Sequence, residues 1–364
     1  MSYLPILILI TLIRKAEMMN RENLLEDLNL IKSCLATTSD IEAYQKFCFV
    51  GDAVIAFNSF QAACTYSDFG VEGLIEGKLL IDLLKSYKIT EFDFVTKKDN
   101  VFLDFGKGKK SKLVLTDVKN FKFDEPTKGE LEQTAFVGLT EDFLTGLKYV
   151  LISANKNGDF PVNRGVTLKE NTLYSSDSES RASRYKLSDV TIGDREILLP
   201  LNFCELIIAF SKKFNGQPIM HLAEDYIYVS FDGGFVYTLF PREIMFLPFD
   251  NFFEKADADK ESATYAVVEE MINIFKRHLV IGNLTTINIV NGTASFVTES
   301  HLGTVTDEVM DFPFNIDQDF KMNIEHLLTA IQVVDDFKFI STDSSVLFVG
   351  IKGNFVHIID DWRV

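Results

Sequence analysis

The strongest constraint on the fold is a pattern of hairpins and helices that occurs three times along the 364-residue chain. Two-residue polar turns begin at Gly51, Glu170 and Asn291, and each lies between strands of alternating apolar residues, as is typical of β-hairpins. Successive turns are about 120 residues apart. A fixed period of this length predicts one structural unit repeated in tandem.

Two amphipathic helices are predicted in each unit, one before the hairpin and one after it. The alternative to a true repeat is that α+β domains of equal size resemble one another by chance. The repeated order of helix, strands, helix and strands predicts an α+β fold of three tandem domains. The first helices are predicted at 21–35, 140–152 and 265–279, and the second at 77–88, 201–214 and 322–334, each followed by a strand from Asn100, Asp225 or Ser344. We predict domains at 19–130, 131–254 and 255–364, with linkers around Asp124-Glu125-Pro126 and from Ala256 to Glu261.

An apolar run at residues 4–13 precedes Arg14 and Lys15. Ten residues are too few to span a bilayer, and the positive charges lie on the wrong side for a signal peptide. We interpret residues 1–18 as an N-terminal extension or as a start assigned too early, with Met18 or Met19 as the true start. We therefore expect no membrane association.

Acidic residues predominate: 53 Asp and Glu face 36 Lys and Arg, so that the formal net charge is −17. A protein that holds nucleic acid by its overall charge is normally basic, so any such contact must come from a local patch. The four cysteines, Cys34, Cys48, Cys64 and Cys204, are scattered without a CxxC pair. We interpret them as reduced core residues of a cytoplasmic protein and expect neither disulfides nor a zinc site.

No motif for catalysis or cofactor binding is complete. The sequence GKGKKS at 106–111 lacks the glycine that a phosphate loop requires before Lys-Ser, and a lysine-rich hairpin turn fits it better. Asp257 and Asp259 are not followed by the glycine of a calcium loop, and the five histidines have no HxxxH spacing. We therefore predict that the chain is not an enzyme and needs no cofactor or metal.

The repeat resembles the sliding clamps of replicative DNA polymerases, in the three-domain bacterial β-clamp type that phages also carry. The similar stretches are NRENLLEDLNLIKSCLA (20–36), the segment 73–117, ILLPLNFCELIIAF (197–210) and the closing NFVHIIDDWRV (354–364). The chain departs from the family at Asp360-Asp361-Trp362, where the family has an apolar, proline-containing tail.

The resemblance implies a processivity factor that encircles double-stranded DNA and tethers the polymerase. It implies a ring of head-to-tail domains with sheets outside and helices lining the hole, closed by a homodimer of two three-domain chains. It also implies a clamp loader as a partner, and capture of polymerase and loader through short linear motifs. The alternative is an acidic clamp-fold interaction protein, or a DNA mimic, that does not close into a ring.

Basic residues recur near the C-terminal ends of the predicted helices, where the resemblance places DNA. Cations at helix ends also offset the helix dipole in any protein, so a purely structural role is the alternative. The candidate DNA-binding residues are Lys32, Lys85, Lys88, Lys148, Lys212, Lys213, Lys276 and Arg277. A denser cluster at 107–112 either contacts DNA at the ring face or keeps a sheet edge soluble.

A peptide-binding groove between the second and third domains is implied by the same resemblance. An apolar groove of this kind suits an extended peptide with one or two large hydrophobic residues. The alternative is that its residues are ordinary core residues, which suits Val356 better than Phe253. The candidate residues are Ala182, Pro248, Phe253, Val356 and Ile358.

Overall fold

A computed structural model describes residues 18–67, 69–240, 244–309, 318–342 and 345–363. The predicted N-terminal extension lies outside the described residues, except for Met18. The chain forms two compact units. The first comprises the residues up to Thr134 with Ala209–Gly216 and His221–Leu239, and the second comprises Ala135–Ile208, Gln217–Met220 and the residues from Phe240 onward. Among the described residues, no helix has the length and apolar character needed to cross a membrane.

Three successive segments share one order of elements: a short strand, a helix, four strands, a second helix and three strands. The first contains β1 (Met18–Asn20), α1 (Arg21–Ile31), β2 (Lys46–Val50), β3 (Ala53–Phe57), β4 (Gln61–Tyr66), β5 (Gly73–Glu76), α2 (Gly77–Ser86), β6 (Glu91–Lys97), β7 (Asn100–Asp104) and β8 (Lys110–Val114), and the short helix α3 (Lys128–Leu131) follows.

The second segment contains β9 (Ala135–Gly138), α4 (Glu141–Val150), β10 (Gly165–Lys169), β11 (Thr172–Ser176), β12 (Arg181–Lys186), β13 (Glu196–Pro200), α5 (Leu201–Lys213), β14 (Ile219–Leu222), β15 (Tyr226–Phe231) and β16 (Gly234–Leu239). An additional helix, α6 (Phe249–Ala258), follows it.

The third segment contains β17 (Tyr265–Ala266), α7 (Glu269–Ile281), β18 (Leu284–Val290), β19 (Thr293–Ser300), β20 (Gly303–Val309), β21 (Gln318–Asn323), α8 (Ile324–Ile331), β22 (Asp336–Ser341), β23 (Ser345–Lys352) and β24 (Phe355–Arg363). The shared order confirms the predicted threefold repeat and the α+β fold class, whereas the predicted domain boundaries remain predictions.

All three predicted hairpin turns are present, each with two residues between the paired strands. The first turn residue, Gly51, Glu170 or Asn291, has a left-handed φ between 49° and 59°. Glycine and asparagine adopt this conformation readily, which explains two of the three choices. The pairs that close the turns are Val50–Ala53, Lys169–Thr172 and Val290–Thr293.

Strand pairing changes some predicted helix boundaries. Tyr265 and Ala266, predicted as the start of a helix, form β17 because they pair with Phe337 and Asp336. The linker predicted from Ala256 also begins inside a helix, since Ala256–Ala258 form the last turn of α6. In both places tertiary contacts prevail over the local pattern.

The strand pairs named below are all antiparallel. In the first unit, β1-β6-β7-β8 form one sheet, and β5-β2-β3-β4-β16-β15 are successive neighbours in another. In the second unit, the order is β13-β10-β11-β12-β24-β21-β18-β19-β20, and β23, β22 and β17 extend from β24.

Strands of successive repeats pair directly with one another. β4 of the first repeat pairs with β16 of the second, and β12 of the second pairs with β24 of the third. Gly234, which begins β16, lies opposite Thr65, and a Cβ at Gly234 would collide with the backbone carbonyl of Cys64. Glycine is therefore required for this close approach.

The core is rich in phenylalanine, and the four cysteines lie within it as free, buried thiols, as the sequence predicts. Burial raises the pKa of both Cys34 and Cys48 to about 12. These thiols are consequently protonated at neutral pH.

Candidate functional site

Four of the five predicted peptide-binding residues meet in one apolar cluster of the second unit. Ala182 and Ile358 are cross-strand partners on β12 and β24, and both are buried. Phe253 packs into the same cluster from α6, and Val356 lies partly buried at its margin. The fifth residue, Pro248, is the N-cap of α6. The fold thus brings the predicted residues together, while peptide binding by them remains a prediction.

The burial of two of these residues is the reverse of the expectation. Phe253 has no exposed surface, whereas Val356 is only partly buried. The expectation that Val356 is the more core-like residue is therefore wrong. Its physical reason is that α6 directs Phe253 inward onto the sheet, and no helix was predicted in this segment.

The helix α6 lies on the sheet through one face. Phe249, Phe253 and Ala256 are buried at positions i, i+4 and i+7, which align on one side of a helix. The Phe249 ring stacks on Tyr174 with centroids 5.0 Å apart. The guanidinium carbon of Arg184 lies 4.6 Å from the centre of the Phe253 ring, within cation–π distance.

Three acidic side chains of α6 and its C-terminal flank form ion pairs with cations of the sheet. Lys169 Nζ lies 3.0 Å from Asp250 Oδ2, and Lys338 Nζ lies 2.7 Å from Asp259 Oδ2. Arg184 binds Asp257 through both terminal nitrogens. The hydrogen bond from Lys169 lowers the pKa of Asp250 below its usual range. The surface beneath α6 is therefore apolar at its centre and basic at its edge.

An open cavity of about 160 Å³ remains beside α6. Three apolar side chains, Ala182, Leu347 and Ile358, contribute to its lining. Cavities of roughly 150 Å³ accommodate a benzene ring, so this one has room for one large apolar side chain. Its polar lining includes Glu179, Arg181, Lys255 and Asp360, none of which is among the five candidate residues named from the sequence, although Asp360 was noted there as a departure from the family.

One wall of the cavity is the turn between β11 and β12, which Asp177 holds in place. Its Oδ1 accepts hydrogen bonds from the backbone N–H groups of Glu179, Ser180 and Arg181 at 3.0, 2.9 and 2.8 Å. Arg181 Nε donates to Oδ2 at 2.7 Å. Burial raises the pKa of Asp177, but the hydrogen bonds from Arg181 and the backbone outweigh this effect and lower it below the usual range.

A serine–histidine pair connects β12 and β24. Ser183 Oγ lies 2.8 Å from His357 Nδ1 and 2.7 Å from Ser153 Oγ. All three residues are buried, and burial lowers the pKa of His357 to about 3. A substrate cannot reach the hydroxyl, so the pair supports the sheet rather than nucleophilic chemistry.

The predicted DNA-binding residues fall into two groups. Two of them hold carboxylates: Lys213 Nζ lies 2.5 Å from Asp27 Oδ1, and Arg277 lies 2.7 Å from Asp307 Oδ1. Lys32, which donates to Asn29 Oδ1 at 3.0 Å, is exposed. The remaining five are also exposed, and no salt bridge involves them among the described residues: Lys85, Lys88, Lys148, Lys212 and Lys276.

The lysine-rich segment forms a turn and the edge strand β8. Lys110 pairs with Asp104 at 2.7 Å. β8 is the edge strand of the sheet β1-β6-β7-β8, and β20 is an edge strand of the sheet in the second unit. Lys110, Lys112 and Val114 alternate with the more buried Ser111 and Leu113, so β8 has one exposed face and one packed face.

Neither a family model nor a curated protein matches the sequence. Solved structures do match. A putative DNA polymerase III beta subunit from Eubacterium rectale has a TM-score of 0.79 and 13% identity, covering 95% of this chain and 99% of that chain. The beta subunit of DNA polymerase from Streptococcus pyogenes has a TM-score of 0.77 and 16% identity, with the same coverage of 95% and 99%.

The Helicobacter pylori beta clamp bound to a DNA ligase peptide also matches, with a TM-score of 0.77, 13% identity and coverage of 95% and 99%. The chain therefore has the fold of the DNA polymerase III beta subunits, with three repeated domains. The resemblance inferred from the sequence is confirmed at the level of the fold.

Proposed function

We propose that the chain is a sliding clamp of the cytoplasm, a processivity factor rather than an enzyme. It encircles double-stranded DNA as a homodimer and tethers the replicative DNA polymerase. The observation that carries the proposal is the pairing of strands between successive repeats, within a fold shared with DNA polymerase III beta subunits.

The pairing follows a rule. The fourth strand of one repeat pairs with the last strand of the next repeat, as in β4 with β16 and β12 with β24. Under this rule, β20 of the third repeat has no successor in the chain and β8 of the first has no predecessor. A second copy supplies both partners, so that two chains of three repeats close a ring of six with twofold symmetry.

The register of this intermolecular pairing follows from the two pairs within the chain. Gly234 opens β16 opposite Thr65, and Phe355 opens β24 opposite Tyr185. Thr65 lies three residues after Ala62, the first residue of β4 that pairs with β3. Tyr185 likewise lies three residues after Ala182, the first residue of β12 that pairs with β11. The corresponding first residue of β20 is Gly303, which pairs with β19, and the residue three positions after it is Thr306. Lys110, which begins β8 of one copy, should therefore lie opposite Thr306 of the other copy.

This register pairs residues of similar burial on β8 and β20. Ser111 of β8 would lie opposite Val305, and both residues are half-buried. Glu308 would lie diagonally across from Lys110, within reach of its side chain. The basic 107–112 segment would then face Glu308 of β20, in agreement with charge complementarity at interfaces.

Topological holding explains the charge of the chain. A closed ring retains DNA without strong phosphate contacts, and an acidic exterior repels DNA from the outside. The five exposed lysines then provide weak, exchangeable contacts from the helices that line the hole or, for Lys88, from the residues just after α2. They are Lys85, Lys88, Lys148, Lys212 and Lys276. Polymerase and clamp loader would bind through short motifs whose apolar side chain enters the cavity at Ala182, Leu347 and Ile358.

Size-exclusion chromatography with light scattering tests the ring directly. The proposal expects a mass near twice 41.3 kDa at micromolar concentration. Retention on circular DNA, with loss from linear DNA through its ends, tests encirclement. An elongated monomer that binds neither DNA would support the alternative, an acidic clamp-fold interaction protein or DNA mimic.

Replacement of Ile358 tests the peptide site. Ile358→Asp should abolish binding of peptides from the cognate polymerase, because it places a charge in the apolar cavity lining. Ile340→Asp is the matched control, since Ile340 belongs to the same cluster but does not line the cavity. Equal binding by both folded variants would direct the search to another surface.

A further inference from the structure

We propose that helix α6 is a built-in ligand of the groove that it covers, and that an acidic amphipathic helix bearing two phenylalanines displaces it. The displaced state opens the full groove on β11, β12, β23 and β24, of which only the cavity is open while α6 is bound. The identity of the partner rests on the proposed peptide-binding role of this surface.

The contact of α6 resembles that of a bound helix more than that of a core helix. Only Phe249, Phe253 and Ala256 are buried, and the other seven residues of the helix are exposed. Anchors at i, i+4 and i+7 in an apolar groove are the usual arrangement of helix-in-groove recognition. A helix of ten residues has little stability of its own, so α6 forms because the groove binds it.

The groove beneath α6 is continuous with the open cavity. The apolar cluster that receives Phe249 and Phe253 also contains Ala182, Leu347 and Ile358. These three residues line the cavity, whose remaining wall includes Asn251, Phe252 and Lys255 of α6 itself. A partner that inserts one side chain into the cavity therefore contacts α6 and competes with it for the rest of the surface.

Charge specifies the class of competitor. The cations Lys169, Arg184 and Lys338 pair with Asp250, Asp257 and Asp259, all from α6 or its flank. When α6 leaves, these cations lose their partners, and a helix with acidic residues at corresponding positions restores them. The structure therefore favours an acidic partner helix over a basic one.

Displacement also controls affinity. The apparent affinity for a partner falls by the fraction of molecules in which the groove is free. The carboxylates of the two ion pairs of α6 proper, Asp250 and Asp257, are exposed, and asparagine at position 250 keeps an oxygen that can accept the Tyr174 hydroxyl, now 3.2 Å from Asp250 Oδ1. Their removal should loosen α6 while keeping the groove cations available.

The probe is a fluorescein-labelled synthetic peptide that copies residues 247–259 (LPFDNFFEKADAD), measured by anisotropy against the full chain. The test variant is the double substitution Asp250→Asn and Asp257→Asn. The matched control is Glu254→Gln, because Glu254 is exposed on the same helix and forms no salt bridge among the described residues. Circular dichroism establishes that each protein is folded.

The double variant should bind the peptide about fivefold more tightly than the intact chain, as expected for the loss of two exposed ion pairs in the competing helix. Glu254→Gln should bind like the intact chain, and a peptide with alanine in place of both anchoring phenylalanines should not bind. Equal affinity of the double variant and the control, or no binding by either, would overturn the proposal.

Hydrogen exchange on the intact chain gives a second measurement that needs no variant. If α6 is a displaceable ligand, its amide protons exchange at least about tenfold faster than those of β24, and added peptide accelerates them further. Exchange of α6 together with β24 would show that it is a fixed part of the core. Neither experiment contains DNA or polymerase, so failure of the clamp function and failure of this inference are distinguishable.

Discussion

Ser183 Oγ and His357 Nδ1 lie 2.8 Å apart in the interior and join β12 of the second repeat to β24 of the third. The imidazole is buried, and this lowers its pKa from 6.5 to about 3. The neutral ring is therefore the form that the folded chain requires.

Acidification should reveal this requirement. Between about pH 6.5 and pH 3 the unfolded chain protonates His357 and the folded chain does not, so stability falls as the pH falls through this window. The loss from this residue is roughly 3–5 kcal/mol across the window. Urea unfolding at several pH values should show a shallower pH dependence for His357→Gln than for the intact chain, and parallel curves would contradict the assignment.

The proposed register between two copies predicts a specific cross-link. The variant Ser111→Cys/Val305→Cys should form an intermolecular disulfide in mild oxidant, giving a band near twice 41.3 kDa on non-reducing gels. Ser111→Cys/Thr304→Cys is the control, because Thr304 lies on the opposite face of β20. Equal cross-linking by both variants would contradict the register.

The exposed lysines should contribute to DNA retention. Lys148→Glu, Lys212→Glu and Lys276→Glu together should shorten retention on circular DNA and reduce the salt dependence of binding by about three charges. The control carries the same change at Lys122, Lys186 and Lys260, which are exposed outside the helices. If both triple variants lose DNA equally, the effect comes from net charge and not from the helices.

Neighbouring lysines of α5 should differ sharply in their effect on stability. Lys213→Ala leaves the largely buried Asp27 without its partner and should cost about 1–2 kcal/mol, because burial already raises the pKa of that carboxyl. Lys212→Ala removes an exposed charge and should change stability by less than about 0.5 kcal/mol. Denaturant midpoints measure both, and similar midpoints would show that the Asp27 pair is unimportant.

The repeat and its hairpins could be predicted because their signals are local. Two-residue turns and apolar periodicity identify the strands at Gly51, Glu170 and Asn291 without knowledge of distant contacts. Lys213 and Arg277 were harder, since their partners Asp27 and Asp307 lie far away in sequence. The spacing of residues along a helix cannot show that a basic side chain already forms an ion pair with a carboxylate that is distant in the sequence.

The helix α6 shows a different limit of sequence-based prediction. Its anchors Phe249, Phe253 and Ala256 have helical spacing, but the polar stretch from Ala256 to Glu261 predicted a linker there instead. The helix is short and forms through contacts with Tyr174 and Arg184, neither of which is near it in the chain. Its burial could only be recognised once the sheet beneath it was known.

The four buried thiols of the folded chain should react very slowly with alkylating reagents. With thiol pKa values of about 12 at Cys34 and Cys48, almost no thiolate forms at neutral pH, and burial excludes the reagent as well. A cysteine introduced on the surface would therefore be the preferred site for a fluorophore, without removal of the native four. Conversely, the rate at which the native thiols react would serve as a clock for unfolding events that expose the core.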